Sequence, residues 1–336
     1  MVQDLRKNDM RPRVLITGAS GFIGYHLISA AIDAGMEVHA AIRTTSKISQ
    51  LQHFNLRYVI PDYTDQDSLC ELLEQYQYNY IIHAARITKA HTEDQYIRVN
   101  AEYTFNLAMA ARKADIPLEK FLFISSLAAL GPVAYNEVWP TPDGIVANPV
   151  TRYGRSKLKA EEYLNGMADF PWVVLRPTAV YGPHGKELFK LFKTFKRGLD
   201  IQVGRTPRHL SFVYVKDLAD AAILALTTPP IHTGYNVSDG HSYDRYALGN
   251  IFTRILGVHM LRIHMPLAVM KMIAALPERL SRGISFMNKE KLLELNARNW
   301  NCNIEQIRRD LGFNPVYNLE RGMEETLNWY TNNKWF

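Results

Sequence analysis

The chain has 336 residues, of which 47% are hydrophobic and 21% charged, and it carries a net charge of +6. That length can bury one large α/β domain or a main domain with a smaller partner, and the composition excludes a disordered chain. Two widely separated cysteines, Cys70 and Cys302, exclude a disulfide framework and suit a reducing compartment.

Residues 2–13 are polar and charged with no apolar h-region, so the protein reads as cytoplasmic rather than secreted. Short apolar strands then alternate with helical patterns, which predicts a parallel sheet covered on both faces. Strands are predicted at 14–17, 38–42, 58–60, 80–83, 121–125 and 173–176. Helices are predicted at 22–34, ending at the C′ glycine Gly35, and at 67–76, 100–113 and 156–167, with Tyr153 at the entrance of the last. Beyond Arg176 the rhythm breaks. A helix at 186–197 precedes strands near 201–203, 212–215 and 235–237 and a helix from Asp217. From Ser242 the pattern is mostly helical, with turn signals at Pro266, Gly283 and Asn314-Pro315. The apolar run from Pro266 is too short and interrupted to span a bilayer. The positive charge invites anionic partners, but no finger, basic zipper or RNA-reading signature is present, so nucleic acid is not an expected partner.

Three motifs carry chemistry. Gly18-Ala19-Ser20-Gly21-Phe22-Ile23-Gly24 follows a strand and opens a helix; glycine permits the tight turn, and the helix N-terminus offers free N–H groups to a pyrophosphate. Tyr153 and Lys157 lie at i and i+4, on one helix face, where an ammonium favours the phenolate. Alone, that spacing also describes a solvated surface pair. Upstream, FLFISSLAALG ends a buried-looking strand with two serines at the carboxyl edge of the sheet, where such folds bind ligands. Ser125 reads as a cap or turn serine and Ser126 as an active-site residue.

Taken in order, TGASGFIG, IIHAAR, SSLAALG, YGRSK and LRPTAVYGP resemble the extended short-chain dehydrogenase/reductase family over roughly Arg13 to Leu226, with a weaker likeness in GYNVSDG, LGFNP and ETLNWY. The nearest branches are the 3β-hydroxysteroid dehydrogenases and the dihydroflavonol (flavonoid) reductases. The resemblance implies an α/β Rossmann-type doubly wound parallel sheet with a smaller, mostly helical C-terminal substrate domain. It divides the chain into 11–178 plus 205–237 for the cofactor and 179–204 plus 238–333 for the substrate.

The resemblance also implies residue roles. Ser126 would hold the reacting oxygen, Tyr153 would act as general acid/base, and Lys157 would tune Tyr153 and bind the nicotinamide ribose. Asn100 would support the site, although a helix-starting Asn is the alternative. The cofactor would meet Gly18, Ser20, Gly21, Phe22, Ile23 and Gly24, the adenine-binding acid Asp62 with Tyr63, then Ala84, Ala85, Arg86, Pro177 and Thr178. Thr88, Leu127, Ala128, Tyr181 and His184 would meet the substrate. No metal is expected, and helices at 100–113 and 153–167 would pair in a homodimer.

The run VHAAIRTTSK at 38–47 bears on the cofactor. An acid roughly 20 positions beyond the glycine turn usually holds the ribose hydroxyl of NAD, and none is present. Arg43 can instead pair bidentately with a 2′-phosphate, with Lys47 adding a second cation, so NADP(H) is expected in preference to NAD(H).

For the substrate, nucleotide-sugar enzymes commonly place an Asn where this chain has Ala179. They also carry an arginine where it has Ser211, although Arg205 and Arg208 are near enough to substitute. The helix at 186–197 is basic and amphipathic, which suits either packing on the substrate domain or an anionic membrane surface. The expectation is an NADP(H)-dependent reductase of a ketone on a hydrophobic molecule, such as a steroid-like or long-chain, sphingoid-type 3-ketone. The alternatives are a nucleotide-sugar epimerase or dehydratase, and a non-catalytic cofactor-binding scaffold; the Ser126, Tyr153 and Lys157 set argues against the second.

Overall fold

In the computed structural model, which describes residues 11–135, 146–275 and 289–336, the first apolar runs become strands β1 (Arg13–Thr17), β2 (Glu37–Ala41), β3 (Arg57–Val59), β4 (Tyr80–His83), β5 (Lys120–Ile124) and β6 (Trp172–Pro177). With β10 (Thr233–Val237) they form a seven-stranded sheet in the order β10-β6-β5-β4-β1-β2-β3, every neighbouring pair parallel. Side chains alternate between faces. Val14 and Ile16 join one core with helices α1 (Phe22–Asp33) and α7 (Val215–Thr227). Leu15 joins the other with α2 (Gln66–Tyr76), α4 (Tyr103–Lys113) and α5 (Arg152–Asn165). Burial on both faces is what a parallel sheet requires.

The chain leaves β1 toward β2 and β3, then returns to β4 on the other side of β1. At this reversal the connections after β1 and β4 diverge and leave a crevice at the carboxyl edge.

Three differences from the sequence reading have physical reasons. The helix expected from Asn100 starts earlier, as α3 (Glu93–Ile97), and reaches α4 through a π-type turn at Arg98–Glu102. Thr92 is the cap: its hydroxyl accepts the Gln95 N–H. Asn100 is therefore inside the helical run, not at its start. Second, the C-terminal part contains β11 (Leu261–Met265), which pairs parallel to β8 (Leu199–Val203). Its Leu-Arg-Ile-His-Met pattern has a period of two, between the left-handed Gly257 and Pro266. Third, β7 (Ala179–Tyr181) follows β6 almost at once and pairs with β9 (Phe212–Tyr214). The turn signal at Gly283 falls outside the described residues.

A second apolar cluster gathers α6 (Lys186–Lys196), α8 (Ala247–Leu256) and α12 (Leu319–Asn332) around Phe192, Phe195, Phe252, Leu327 and Tyr330. Around this frame, α9 (Leu267–Ala275), α10 (Lys289–Asn296) and α11 (Glu305–Leu311) complete the described helices. In α6, Phe192 and Phe195 are buried and Leu188, Phe189 and Leu191 pack against the same cluster. Its lysines face water, with Lys193 and Lys196 lying over the rings of Phe189 and Phe336. The apolar face of this helix is thus spent inside the molecule. Among the described residues, no helix is long and apolar enough to cross a membrane.

Candidate active site

Thr17, the last residue of β1, organises the crevice. Its buried hydroxyl accepts the N–H groups of Ala84 and Ala85 at 3.1 and 3.0 Å and also pairs with Nδ1 of His83 at 2.9 Å and with the Tyr63 phenol. His83 is a neutral imidazole: burial, with the charge of Lys157 acting the same way, pushes its pKa down to about 3. On the other side of this loop, fully buried Asn100 accepts the Ile87 N–H at 2.8 Å and donates to the Ile87 carbonyl and to Ser156 Oγ, both at 3.0 Å. Ser156 Oγ donates in turn to the Tyr153 carbonyl at 2.7 Å. Asn100 spends both amide protons and one acceptor position on this frame, which makes it a clamp on the loop after β4. A π-type turn recurs at functional sites for this kind of purpose: it redirects one side chain inward without ending the helix.

Tyr153 lies in the first turn of α5, whose cap Thr151 accepts the Gly154 N–H at 2.9 Å. Gly154 is required here, because a Cβ on it would sit 2.3 Å from the Ala128 carbonyl oxygen; α5 docks backbone to backbone on the turn that follows β5. That turn starts at Ser126, whose Oγ accepts the Ala128 N–H at 3.2 Å and also pairs with the Tyr153 phenol. Lys157 is fully buried; its Nζ donates to the Ile124 carbonyl at 2.8 Å and lies 4.2 Å from the centre of the Phe123 ring.

The charges differ from expectation. Burial raises the Tyr153 phenol pKa, and the cation that opposes this is Arg86, while Glu187 and Glu294 raise it further. Burial and the Arg86 charge push Lys157 well below its ordinary value, against the pull of Glu161. Lys157 donates to the strand carbonyl, and Arg86 is the cation whose charge lowers the Tyr153 phenol here. Glu161, one turn beyond Lys157, accepts from Ser125 Oγ and from Arg176. Ser125 is accordingly a strand-to-helix tie, not a cap or turn serine.

The cofactor residues converge along the same edge. Gly18 has φ +68°, and a Cβ there would lie 2.7 Å from the Ala84 carbonyl oxygen. α1 begins with no side-chain cap and no acid in its first turn. The Gly21 N–H is spent on the Gly18 carbonyl at 2.9 Å, and the N–H groups of Phe22 and Ile23 at the start of α1 fit the pyrophosphate of a dinucleotide. The Ser20 carbonyl is tied down by Gln50, and Gly24 allows α1 to approach Gly18. Arg43 and Lys47 are exposed and form no ion pair among the described residues. Asp62 accepts the N–H and hydroxyl of Thr64, which hold its carboxyl below the usual range. Tyr63 stacks on Tyr103. Pro177 closes β6, and Thr178 donates to the Val237 carbonyl. The donor set fits a nicotinamide dinucleotide.

The expected substrate residues divide. Leu127 and Ala128 lie in the Ser126 turn, and Thr88 is exposed with its carbonyl held by the Tyr96 hydroxyl. Two need correction. Tyr181 is buried in the second apolar cluster, where Gly322 makes room for its ring and its hydroxyl donates to the Asn318 and Leu319 carbonyls. His184, at φ +68°, is packed between Tyr25 at 4.2 Å and Trp329 at 4.4 Å. Both are claimed by packing partners far away in sequence. Thr17 and His83 were missed because a strand threonine and histidine carry no local signal.

The family model of the NAD dependent epimerase/dehydratase family matches residues 14–238. The chain belongs to this family. It is an NAD(P)-dependent oxidoreductase of the extended short-chain type. A family relative, the sterol-4-alpha-carboxylate 3-dehydrogenase (decarboxylating) of Saccharomyces cerevisiae, is 25% identical across 94% of this chain and 97% of its own. The ceramide reductase of Caulobacter vibrioides is 26% identical across 97% of both. Among solved structures of the fold, MoeE5 in complex with UDP-glucose and NAD superposes with a TM-score of 0.75 at 20% identity, across 96% of this chain and 99% of that one.

Proposed function

We propose that this enzyme uses NADP(H) to reduce a ketone, or oxidise the matching secondary alcohol, on a hydrophobic lipid- or sterol-like molecule. The observation that carries the reading is the Ser126–Tyr153 pair at the sheet edge beside the uncapped start of α1. Bound there, the nicotinamide supplies the hydride. Ser126 holds the carbonyl oxygen, and Tyr153, a phenol that keeps its proton at neutral pH, delivers it to that oxygen. Lys157, held on the Ile124 carbonyl, would hold the nicotinamide ribose.

Relatives named for a sterol carboxylate and for ceramide support a hydrophobic substrate. So does Arg208, one of the two arginines able to replace a missing diphosphate ligand: it is buried, donates to the Val203 carbonyl at 2.7 Å, and is pushed down to about 10 by burial and by Arg245. Exposed Arg43 and Lys47 support the 2′-phosphate. On this reading 11–178 plus 205–237 bind the cofactor, the remainder binds the substrate, and two copies pair through α4 and α5.

The test is NADPH oxidation against long-chain 3-ketones, 3-ketosteroids and nucleotide sugars. Tyr153→Phe is expected to lower kcat at least ~1000-fold with the NADPH Kd nearly unchanged. Arg43→Ala is expected to weaken NADPH roughly tenfold and leave NADH alone. Turnover of a nucleotide sugar with retained cofactor, or full activity in Tyr153→Phe, overturns the reading.

A further inference from the structure

Arg86 differs from Arg43 and Lys47, the exposed cations of the crevice that form no ion pair among the described residues. It is half-buried, three residues beyond the end of β4, on a loop that Thr17 grips at Ala84 and Ala85 and Asn100 grips at Ile87. Among the described residues its guanidinium makes no hydrogen bond and no ion pair, although Glu187 and Glu294 also bear on Tyr153. Arg152 and Arg155 on α5 and Arg176 on β6 all have carboxylate partners. A half-buried guanidinium with all its N–H donors unspent, on a backbone fastened from both sides, is arranged to receive an acceptor from outside.

The acceptor's position follows from the neighbours. The charge of Arg86 acts on Tyr153 and on Lys157, the reacting end of the site. The pyrophosphate donors belong to a different element, the start of α1. We propose that Arg86 binds an oxyanion of the substrate itself, a carboxylate or an equivalent group close to the carbon that bears the reacting oxygen. The substrate class, resting on the reading above, is then a hydrophobic ketone or alcohol that carries an acid near its reacting carbon. Arg86 selects that acid and, through the same charge, opposes the effect of burial on the Tyr153 phenol.

The experiment is calorimetric titration of the enzyme–NADPH complex, in which an alcohol binds without reacting, with 3-hydroxydodecanoate, its methyl ester and 3-hydroxybutyrate. The unsubstituted enzyme is expected to bind the long acid at least ~10-fold tighter than the ester. Arg86→Gln is expected to abolish that preference, and Arg86→Lys to restore part of it. The NADPH Kd and the melting temperature should stay within about twofold and about 1 °C, because Arg86 supports no internal bond. Equal affinity for acid and ester in the unsubstituted enzyme overturns the proposal. So does a variant that weakens NADPH while keeping the acid preference, which would assign Arg86 to the cofactor. If neither long-chain ligand binds, the hydrophobic reading fails. Arg86 is then decided by 3-hydroxybutyrate alone, whose binding must be lost in Arg86→Gln for the proposal to stand.

Discussion

The sheet edge and the C-terminal aromatic cluster are built by opposite means. At the edge, Thr17, Asn100, Ser156 and Glu161 are buried polar groups, each spent on backbone or side-chain partners that fix the loops after β1, β4 and β5. In the cluster, Tyr181, Phe192, Phe195, Phe252 and Tyr330 fill volume, and the polar tips of the two tyrosines find carbonyls as a secondary matter. Hydrogen bonds are directional and set positions closely; aromatic packing supplies burial free energy and tolerates more adjustment. The proposed function uses the closely positioned edge, and the cluster supplies burial.

The contrast breaks most severely at Asn100. Asn100→Ala leaves the Ile87 N–H and carbonyl and the Ser156 hydroxyl with lost partners, at a cost of about 4 kcal/mol. The expected result is a large fall in melting temperature together with loss of activity; an active, stable variant would mean the edge is not held by this amide. Gly154→Ala comes next. It drives α5 away from Ala128 and separates Tyr153 from Ser126, so kcat should fall roughly 100-fold while the protein still melts cooperatively. Gly322→Ala is the matching change in the cluster, where a Cβ would lie 2.2 Å from the Tyr181 hydroxyl. It should cost about 2 kcal/mol in denaturant titrations and leave kcat within about twofold. A kcat loss there as large as that of Gly154→Ala would erase the distinction between the regions.

Acid sharpens the comparison. His83 at the edge is held neutral with its pKa at about 3. His26, buried on α1 with Nε2 at 3.0 Å from the Pro183 carbonyl, is held at about 4, mainly by burial. Both folded values are depressed, so protons favour the unfolded chain. The stabilisation is whole above about pH 6.5, and it erodes as the pH falls toward 4 and then 3. At pH 5 each histidine should cost about 2 kcal/mol relative to pH 8, and His26→Gln should remove its share of that slope. An unchanged slope would show that His26 is not the group being titrated.

Much of this enzyme was legible along the chain because its signals are local. Periods of two and of 3.6 mark the strands and helices, the glycine turn needs the positive φ found at Gly18, and Tyr153 and Lys157 share α5 by spacing alone. Those features determined the fold class and the family. The tertiary structure decided which partners the side chains find. Thr17 meets His83 across 66 positions, Asn100 meets Ser156 across 56, and Tyr181 meets Asn318 across 137. Such pairings buried Tyr181, packed His184 between Tyr25 and Trp329, and converted Asn100 from a helix start into a clamp. The reason is that a side chain's role follows from its neighbours, and in a doubly wound sheet those neighbours are set by strand order, which no local pattern records.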